Sequence, residues 1–380
     1  MQSKKKRDEQ ADLEKELMLN PGKVHQKKKR RRKRLAITIV CELLVLAAII
    51  MVGFQIVRSV GKNNLMRKAE AATPNLVPIT AQEVLTEEEE EKWQDGWVKY
   101  QDTVYAYNED IMTFLIMGID KNSDVKELAD GVNGGQADAL FLAVMNPHDK
   151  TIKVIGINRN TMTDIDVYNE SGAFVTTTKA QIAVQHGFGN GVEKSCEYQR
   201  QAVANLFYNL PIHGYAAINM SAISTINDIV GGVEVTVLED LTKRDSTLIK
   251  DEKVHLMGQS AFWYVKYRDT EKFASADMRL ARQKQYLTGF IAAAKKTAKE
   301  DISVAIDLYQ AILPQMVTDV SVDEVAYLAP ILVDYQFDKE SFYMIEGETV
   351  MGEQFEEFYV DEQALYELIL EVFYEEVENE

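Results

Sequence analysis

The chain has 380 residues, 46% hydrophobic and 9% aromatic, enough for one large core or two small ones. Its formal charge of −18 is unevenly placed: residues 1–34 hold 14 Lys and Arg against 5 Asp and Glu, a net +9 that leaves −27 for everything after them. A body so acidic argues against nucleic acid as a partner. Two cysteines, Cys41 and Cys196, supply no disulfide framework, and five scattered histidines show no zinc-ligand spacing.

Residues 1–34 read as a basic cytoplasmic tail ending in eight consecutive cations, Lys27 to Arg34. The apolar stretch Leu35 to Val57 follows, interrupted by one acid, Glu42. It is long enough to cross roughly 30 Å of hydrocarbon as a single transmembrane helix. Because the basic cluster precedes it, the positive-inside rule places the N-terminus in the cytoplasm and the body outside. The run is longer than the core of a signal peptide and lacks a nearby small-x-small cleavage site, which favours an uncleaved anchor in the cytoplasmic membrane. Residues 58–110 read as an extracytoplasmic stalk that becomes helical near Trp93, Trp97 and Tyr100, with Glu87 to Glu91 as a solvated face.

Between 111 and 345 the pattern alternates. Thr113–Met117, Ala139–Met145 and Ile152–Ile157 read as strands, the last two joined by the turn Asn146 to Lys150. Their near-continuous apolar character implies a sheet covered on both faces. Residues 193–209 and 221–230 read as helices, the second ending at Gly231-Gly232 before a strand at 233–237; longer helices are expected over 276–299, 302–316 and 361–375. The predicted fold is a three-layer α/β/α domain with a central mixed sheet, preceded by the transmembrane helix and followed by an acidic segment, 346–380, whose helix packs on the domain.

The chemistry concentrates in a few residues. Only six arginines lie beyond residue 68, yet Arg268, Arg279 and Arg282 fall within fifteen residues of one another. Arg279 and Arg282 stand i, i+3 on a predicted helix with Gln283 beside them, so their planar forks share a face suited to phosphate or carboxylate. Pairing with surface acids is the competing reading. Asp120 closes the first strand, and Asp138 opens the next after the loop Gly134-Gly135-Gln136-Ala137. Two carboxylates at neighbouring strand ends suit a magnesium ion that completes its shell with water and phosphate oxygens, although an aspartate at such a place also caps turns. Arg159 follows the third strand, and His186 reads as a helix-end cap.

Taken in order, these segments resemble the LytR-CpsA-Psr family of bacterial cell-wall enzymes. The likeness covers about residues 112–295. It rests on Gly118-Ile119-Asp120, Ala137-Asp138-Ala139, Ile157-Asn158-Arg159-Asn160-Thr161, Lys179 ahead of Gly187-Phe188-Gly189, and Asn219. It continues through Gly231-Gly232-Val233, Leu256 to Ala261, Tyr264-Val265-Lys266-Tyr267-Arg268 and Arg279-Leu280-Ala281-Arg282-Gln283. The resemblance implies a phosphotransferase that moves a glycopolymer from an undecaprenyl pyrophosphate carrier to peptidoglycan, outside the membrane of a Gram-positive bacterium, with magnesium or manganese as cofactor. It implies a metal or base role for Asp120 and Asp138, and pyrophosphate binding by Arg159, Lys179, Lys266, Arg268, Arg279, Arg282 and Gln283, with a polyprenyl chain beneath the sheet. Three departures stand out. Lys266 occupies a place where the family often has arginine, Asn160 replaces an aspartate, and the acid ahead of Arg279 is Asp277 rather than residue 276, which on a helix points it away from Arg279. Hydrolysis of the carrier pyrophosphate and a non-catalytic envelope scaffold remain the alternatives.

Overall fold

The computed structural model describes residues 51–65, 67, 68, 74, 76, 92–128 and 133–377. The basic tail, most of the apolar stretch 35–57 and the Glu87–Glu91 run lie outside them. The chain divides into two compact units, 1–59 and 60–380. In the first, residues 51–59 are helical. Among the described residues no helix is long and apolar enough to cross a membrane.

The second unit opens with strands β1 (Trp97–Tyr100), β2 (Thr103–Tyr107), β3 (Met112–Ile119), β4 (Ala137–Asn146), β5 (Thr151–Ile157), β6 (Met162–Tyr168) and β7 (Phe174–Gln181). Helix α1 (Glu193–Leu206), β8 (Gly214–Asn219), α2 (Ile223–Ile229), β9 (Val233–Thr236) and β10 (Lys253–Leu256) come next. Helices α3 (Gln259–Lys266), α4 (Ser275–Glu300) and α5 (Ser303–Ile312) lead to β11 (Met316–Thr318) and α6 (Val322–Asp334). The chain ends through β12 (Phe342–Met344), β13 (Gly347–Met351), β14 (Glu356–Val360), α7 (Glu362–Phe373) and β15 (Tyr374–Glu376).

Six strands form the central sheet in the order β11-β8-β3-β4-β5-β12. It is mixed: β3 pairs antiparallel with β4 and parallel with β8, and β12 joins the edge of β5 in parallel. Alternation along the strands sends side chains into two cores. Leu115, Met117, Leu142 and Ile155 meet α1 and α7 through Val203, Phe207, Ile369 and Phe373. On the opposite face Phe114, Phe141 and Val154 meet α3, α4 and α6 through Tyr264, Leu280, Tyr286 and Leu328. The near-continuous apolar runs of β3, β4 and β5 are therefore explained, since neither face of these strands sees water.

The expected helical end of the stalk is instead a hairpin. Trp97 pairs with Ala106 and Tyr100 with Thr103, and the turn residues Gln101 and Asp102 take φ of 48° and 63°. Two left-handed residues make the tight turn whose twist matches antiparallel strands, and the flanking Val, Thr and Tyr residues suit a pleated surface better than a helix. β15 then adds to β2, with Tyr374 opposite Tyr107. Nearer the N-terminus of this unit, residues 60–65 are helical and dock on the start of α6. Leu65 is fully buried, Lys68 Nζ lies 3.0 Å from Glu324, and a Cβ on Gly61 would sit 2.2 Å from the Asp323 carbonyl oxygen.

Two histidines are sealed in the interior. His213 Nδ1 accepts the Thr113 backbone N–H at 3.0 Å, and the His213 backbone N–H donates to the Thr113 carbonyl at 2.8 Å. Burial lowers both His213 and His186 to about 4. In the unfolded chain each would titrate near 6.5, so the unfolded state takes up protons first as pH falls. The stabilising contribution is complete above about pH 6.5 and is lost between about 6.5 and 4, on the order of 3 kcal/mol for each histidine. Urea midpoints measured across this range should fall steeply for the wild type and less steeply for His213→Asn; equal slopes would show that His213 does not carry this linkage.

Candidate active site

Part of the predicted set converges at one end of the central strands. β3 ends at Ile119, β4 begins at Ala137 and β5 ends at Ile157, so Asp120, Asp138 and Arg159 emerge side by side. A register shift at Gly118 and Ile119 offsets Asp120 from the ladder, and its N–H is held by the Gln136 carbonyl at 3.0 Å. The glycine-rich loop ahead of Asp138 is tightly packed: a Cβ on Gly134 would lie 2.5 Å from both the His186 carbonyl oxygen and Ser195 Oγ. His186 Nδ1 sits 2.9 Å from the Gly135 carbonyl oxygen, so this buried histidine props the loop from behind.

Asp138 is the hub. Its Oδ1 lies 2.9 Å from Arg159 Nε as an ion pair, and its Oδ2 accepts from Arg279 Nη1 at 2.8 Å. Arg279 Nη2 also donates to the Asp138 carbonyl at 3.3 Å. Arg159 reaches further with Nη2 to Gln136 Oε1 and with Nη1 to Asn160 Oδ1, the latter at 3.4 Å. Burial, opposed by Asp138 and reinforced by Arg279, holds the Arg159 guanidinium below its usual range. Arg268 is half-buried and depressed by burial and then by Arg279, and among the described residues it forms no ion pair. Asp120, with its side chain 49% exposed, meets Lys266 Nζ at 3.1 Å, and Lys266 also donates to Asn122 Oδ1 at 2.9 Å.

The structure separates the remaining candidates from this hub. Arg282 is 1% exposed and fully committed: Nη1 donates to the Tyr264 carbonyl, Nη2 to the Tyr267 carbonyl, and Nε faces Glu239 at 2.9 Å. Gln283, also buried, donates to the Val265 carbonyl at 3.3 Å. These two residues of α4 therefore clamp the end of α3, from which Lys266 and Arg268 project. Lys179 stands on the exposed hairpin of β6 and β7, 3.5 Å from Asp164 and 69% exposed. Asp277 points away from Arg279 as its helical phase requires, yet it lands beside the loop of Arg159. It accepts from Asn158 Nδ2 at 2.5 Å and from Thr349 Oγ1 at 2.8 Å, and burial raises its pKa.

Two site neighbours escaped the sequence reading. Gln136, the Arg159 partner, lay inside the glycine loop and was legible in principle from its place two residues before Asp138. Glu356, beside Asn160, had no local signal because 196 residues separate the pair.

As donors for a divalent ion, Asp120 offers a half-exposed carboxylate paired on one oxygen with Lys266 and Asp138 one whose two oxygens face Arg159 and Arg279, and no group of three or more His, Cys, Asp or Glu stands together among the described residues. That donor set fits magnesium, which retains waters and phosphate oxygens in its shell.

A mixed α/β domain thus gathers arginines and two carboxylates at one end of its central strands. The sequence pattern of the LytR_cpsA_psr family matches residues 78–371, and the chain belongs to that family. It is 26% identical over 261 residues to the Enterococcus faecalis polyisoprenyl-teichoic acid–peptidoglycan teichoic acid transferase TagU, covering 68% of this chain and 77% of that one. A Bacillus cereus (strain AH820) protein of the same name is 28% identical, over 47% of this chain and 52% of its own length, so the match spans about half of that relative. In fold, the domain is similar to Bacillus subtilis TagV, with a TM-score of 0.53 at 22% identity over 70% of this chain and 96% of that one. Bacillus subtilis TagT gives a TM-score of 0.51 at 19% identity, over 69% and 89% of the two chains.

The two arginines of α4 should respond differently to the same change. Arg282→Lys removes a planar fork that satisfies two carbonyls and faces Glu239, and should cost about 3 kcal/mol of stability. Arg279→Lys should leave the melting temperature within a few degrees of wild type while weakening pyrophosphate binding at least tenfold. Calorimetric melting and binding on both variants checks this; a stable Arg282→Lys protein would return Arg282 to the surface-pairing reading.

Proposed function

We propose that this protein transfers a glycopolymer from a polyprenyl pyrophosphate carrier to a hydroxyl of peptidoglycan, on the outer side of the cytoplasmic membrane, with Leu35–Val57 as its anchor. The observation that carries the reading is the convergence of Arg159 and Arg279 on the oxyanion of Asp138, with Arg268 alongside and unpaired among the described residues. Forks already aimed at one oxyanion present the geometry a pyrophosphate requires, and phosphoryl transfer depends mostly on such positioning and charge neutralisation. The names of the TagU relatives point to the same substrate class.

In this reading the acceptor oxygen forms a bond to the sugar-linked phosphorus, and the bridging bond to the polyprenyl phosphate breaks. The acceptor proton passes to Asp120, whose carboxylate is half-exposed and paired only with Lys266 among the described residues. Asp138, held on both oxygens, orients the arginines rather than accepting a proton. Arg159, Arg268 and Arg279 stabilise the departing phosphate. Asp120 and Asp138 are the residues that would hold a magnesium ion, and such an ion would supply further neutralisation of negative charge.

An apolar cavity of about 340 Å³ supports a lipid carrier; Ile152, Phe290, Ile291, Leu308, Leu328 and Leu332 are among its lining residues. Phe290 stands eleven residues beyond Arg279 on α4. That is about 16 Å along the helix, within reach of an isoprenoid chain whose phosphates rest at the arginines.

The test is mass spectrometry of full-length protein extracted from its own membrane, coupled to a turnover assay. A bound polyprenyl phosphate or lipid-linked glycan is expected, and Asp138→Ala should abolish magnesium-dependent turnover and lower the melting temperature, because it strips the counter-charge from Arg159 and Arg279. Absence of lipid together with full activity of Asp138→Ala would overturn the proposal, and release of free glycan instead of a peptidoglycan conjugate would identify a hydrolase.

A further inference from the structure

The segment Asn158 to Thr161, which carries Arg159, is strapped from outside by the C-terminal hairpin. The Phe358 N–H donates to the Asn160 carbonyl at 3.0 Å, and Gln181 Nε2 ties the Glu356 carbonyl at 2.7 Å to Asn160 Oδ1 at 3.2 Å. On the other strand of the hairpin, Thr349 donates to Asp277, which in turn holds Asn158. At the centre of this strap Asn160 works in both directions. Its Oδ1 accepts from Arg159 Nη1 at 3.4 Å, while its Nδ2 donates to Glu356 Oε2, also at 3.4 Å.

An amide presents an acceptor to a guanidinium on one atom and a donor to a carboxylate on another. An aspartate at position 160 would serve Arg159 directly but would face Glu356 with like charge. The negative charge behind Arg159 stands at position 356, with the Asn160 amide as the link. Glu356 also acts on Arg268, where its charge and that of Asp138 oppose the effect of burial.

We infer that Glu356 is a positioning residue of the anion site. Through Asn160 it fixes the side of Arg159 turned away from Asp138, so the C-terminal hairpin completes the site that β3, β4 and β5 begin. The inference rests on reading these arginines as a pyrophosphate site and adds a residue to it.

The experiment measures binding of inorganic pyrophosphate by titration calorimetry to the full-length protein and to Glu356→Gln, Asn160→Asp and the double variant. A carboxylate that is merely nearby repels the ligand, so its removal should tighten binding. A positioning carboxylate gives the opposite sign, and Glu356→Gln should bind about fivefold more weakly although its site is less negative. Asn160→Asp should also weaken binding, and Asn160→Asp with Glu356→Gln, which puts the charge at position 160, should recover to within about twofold of wild type. Melting temperatures taken alongside separate loss of fold from loss of orientation, and the double variant keeps the comparison available if Glu356→Gln folds poorly. Equal or tighter binding by Glu356→Gln, or no recovery in the double variant, overturns the inference and leaves the arginine site standing. A wild-type protein that does not bind pyrophosphate would remove both.

Discussion

Three guanidinium groups cannot share the partly buried end of a sheet's central strands unless something holds their charge in check, and in this protein that is the carboxylate of Asp138. It meets Arg159 on one oxygen and Arg279 on the other, from opposite sides of the strand end. Breaking such a pair by removing one partner leaves an uncompensated charge and costs more than the pair itself contributes. The strand order follows from the same constraint. β4 must lie between β3 and β5 for Asp138 to reach Arg159, and α4 must cross the face of that sheet for Arg279 to arrive from above.

The second arginine of α4 shows how one motif divides its labour. Arg282 faces inward, one helical step from Arg279, and uses its fork on the carbonyls of Tyr264 and Tyr267 where α3 ends. Those carbonyls have no helical partner downstream, so the guanidinium serves as a cap from another element. Lys266 and Arg268 inherit their positions from that cap. Arginine is required at both sites for the same property, a planar set of donors, although one set meets the Asp138 carboxylate and the other meets backbone.

Much of this was legible in the sequence because it is local. The buried strands announced themselves as short apolar runs, and the long helices by periodicity. Arg279 and Arg282 were visible as a pair, but their separate fates were not, because i, i+3 spacing fixes a shared face only loosely and the depth of each side chain is set by α3, which the spacing does not know. The hairpin of β1 and β2 was missed since its turn is Gln-Asp rather than a glycine pair, and aromatic residues there fit either period. Helix α6 was obscured by Pro330 inside it, a residue that ordinarily ends a helix. Glu356 and the hairpin over Asn160 were out of reach, since they depend on contacts between distant parts of the chain.

The last strand pairs with the second, Tyr374 opposite Tyr107, and the segment just before it supplies α7 to one core and the strap over Arg159. During synthesis, therefore, an emerging chain can assemble β3, β4 and β5 long before it can finish the pocket they begin. Closure waits for residues 347–376, and long-range pairing of this kind is slow. A copy that stops short of residue 347 would carry the arginines without their frame, so the order in which the polypeptide appears decides when Arg159 is held.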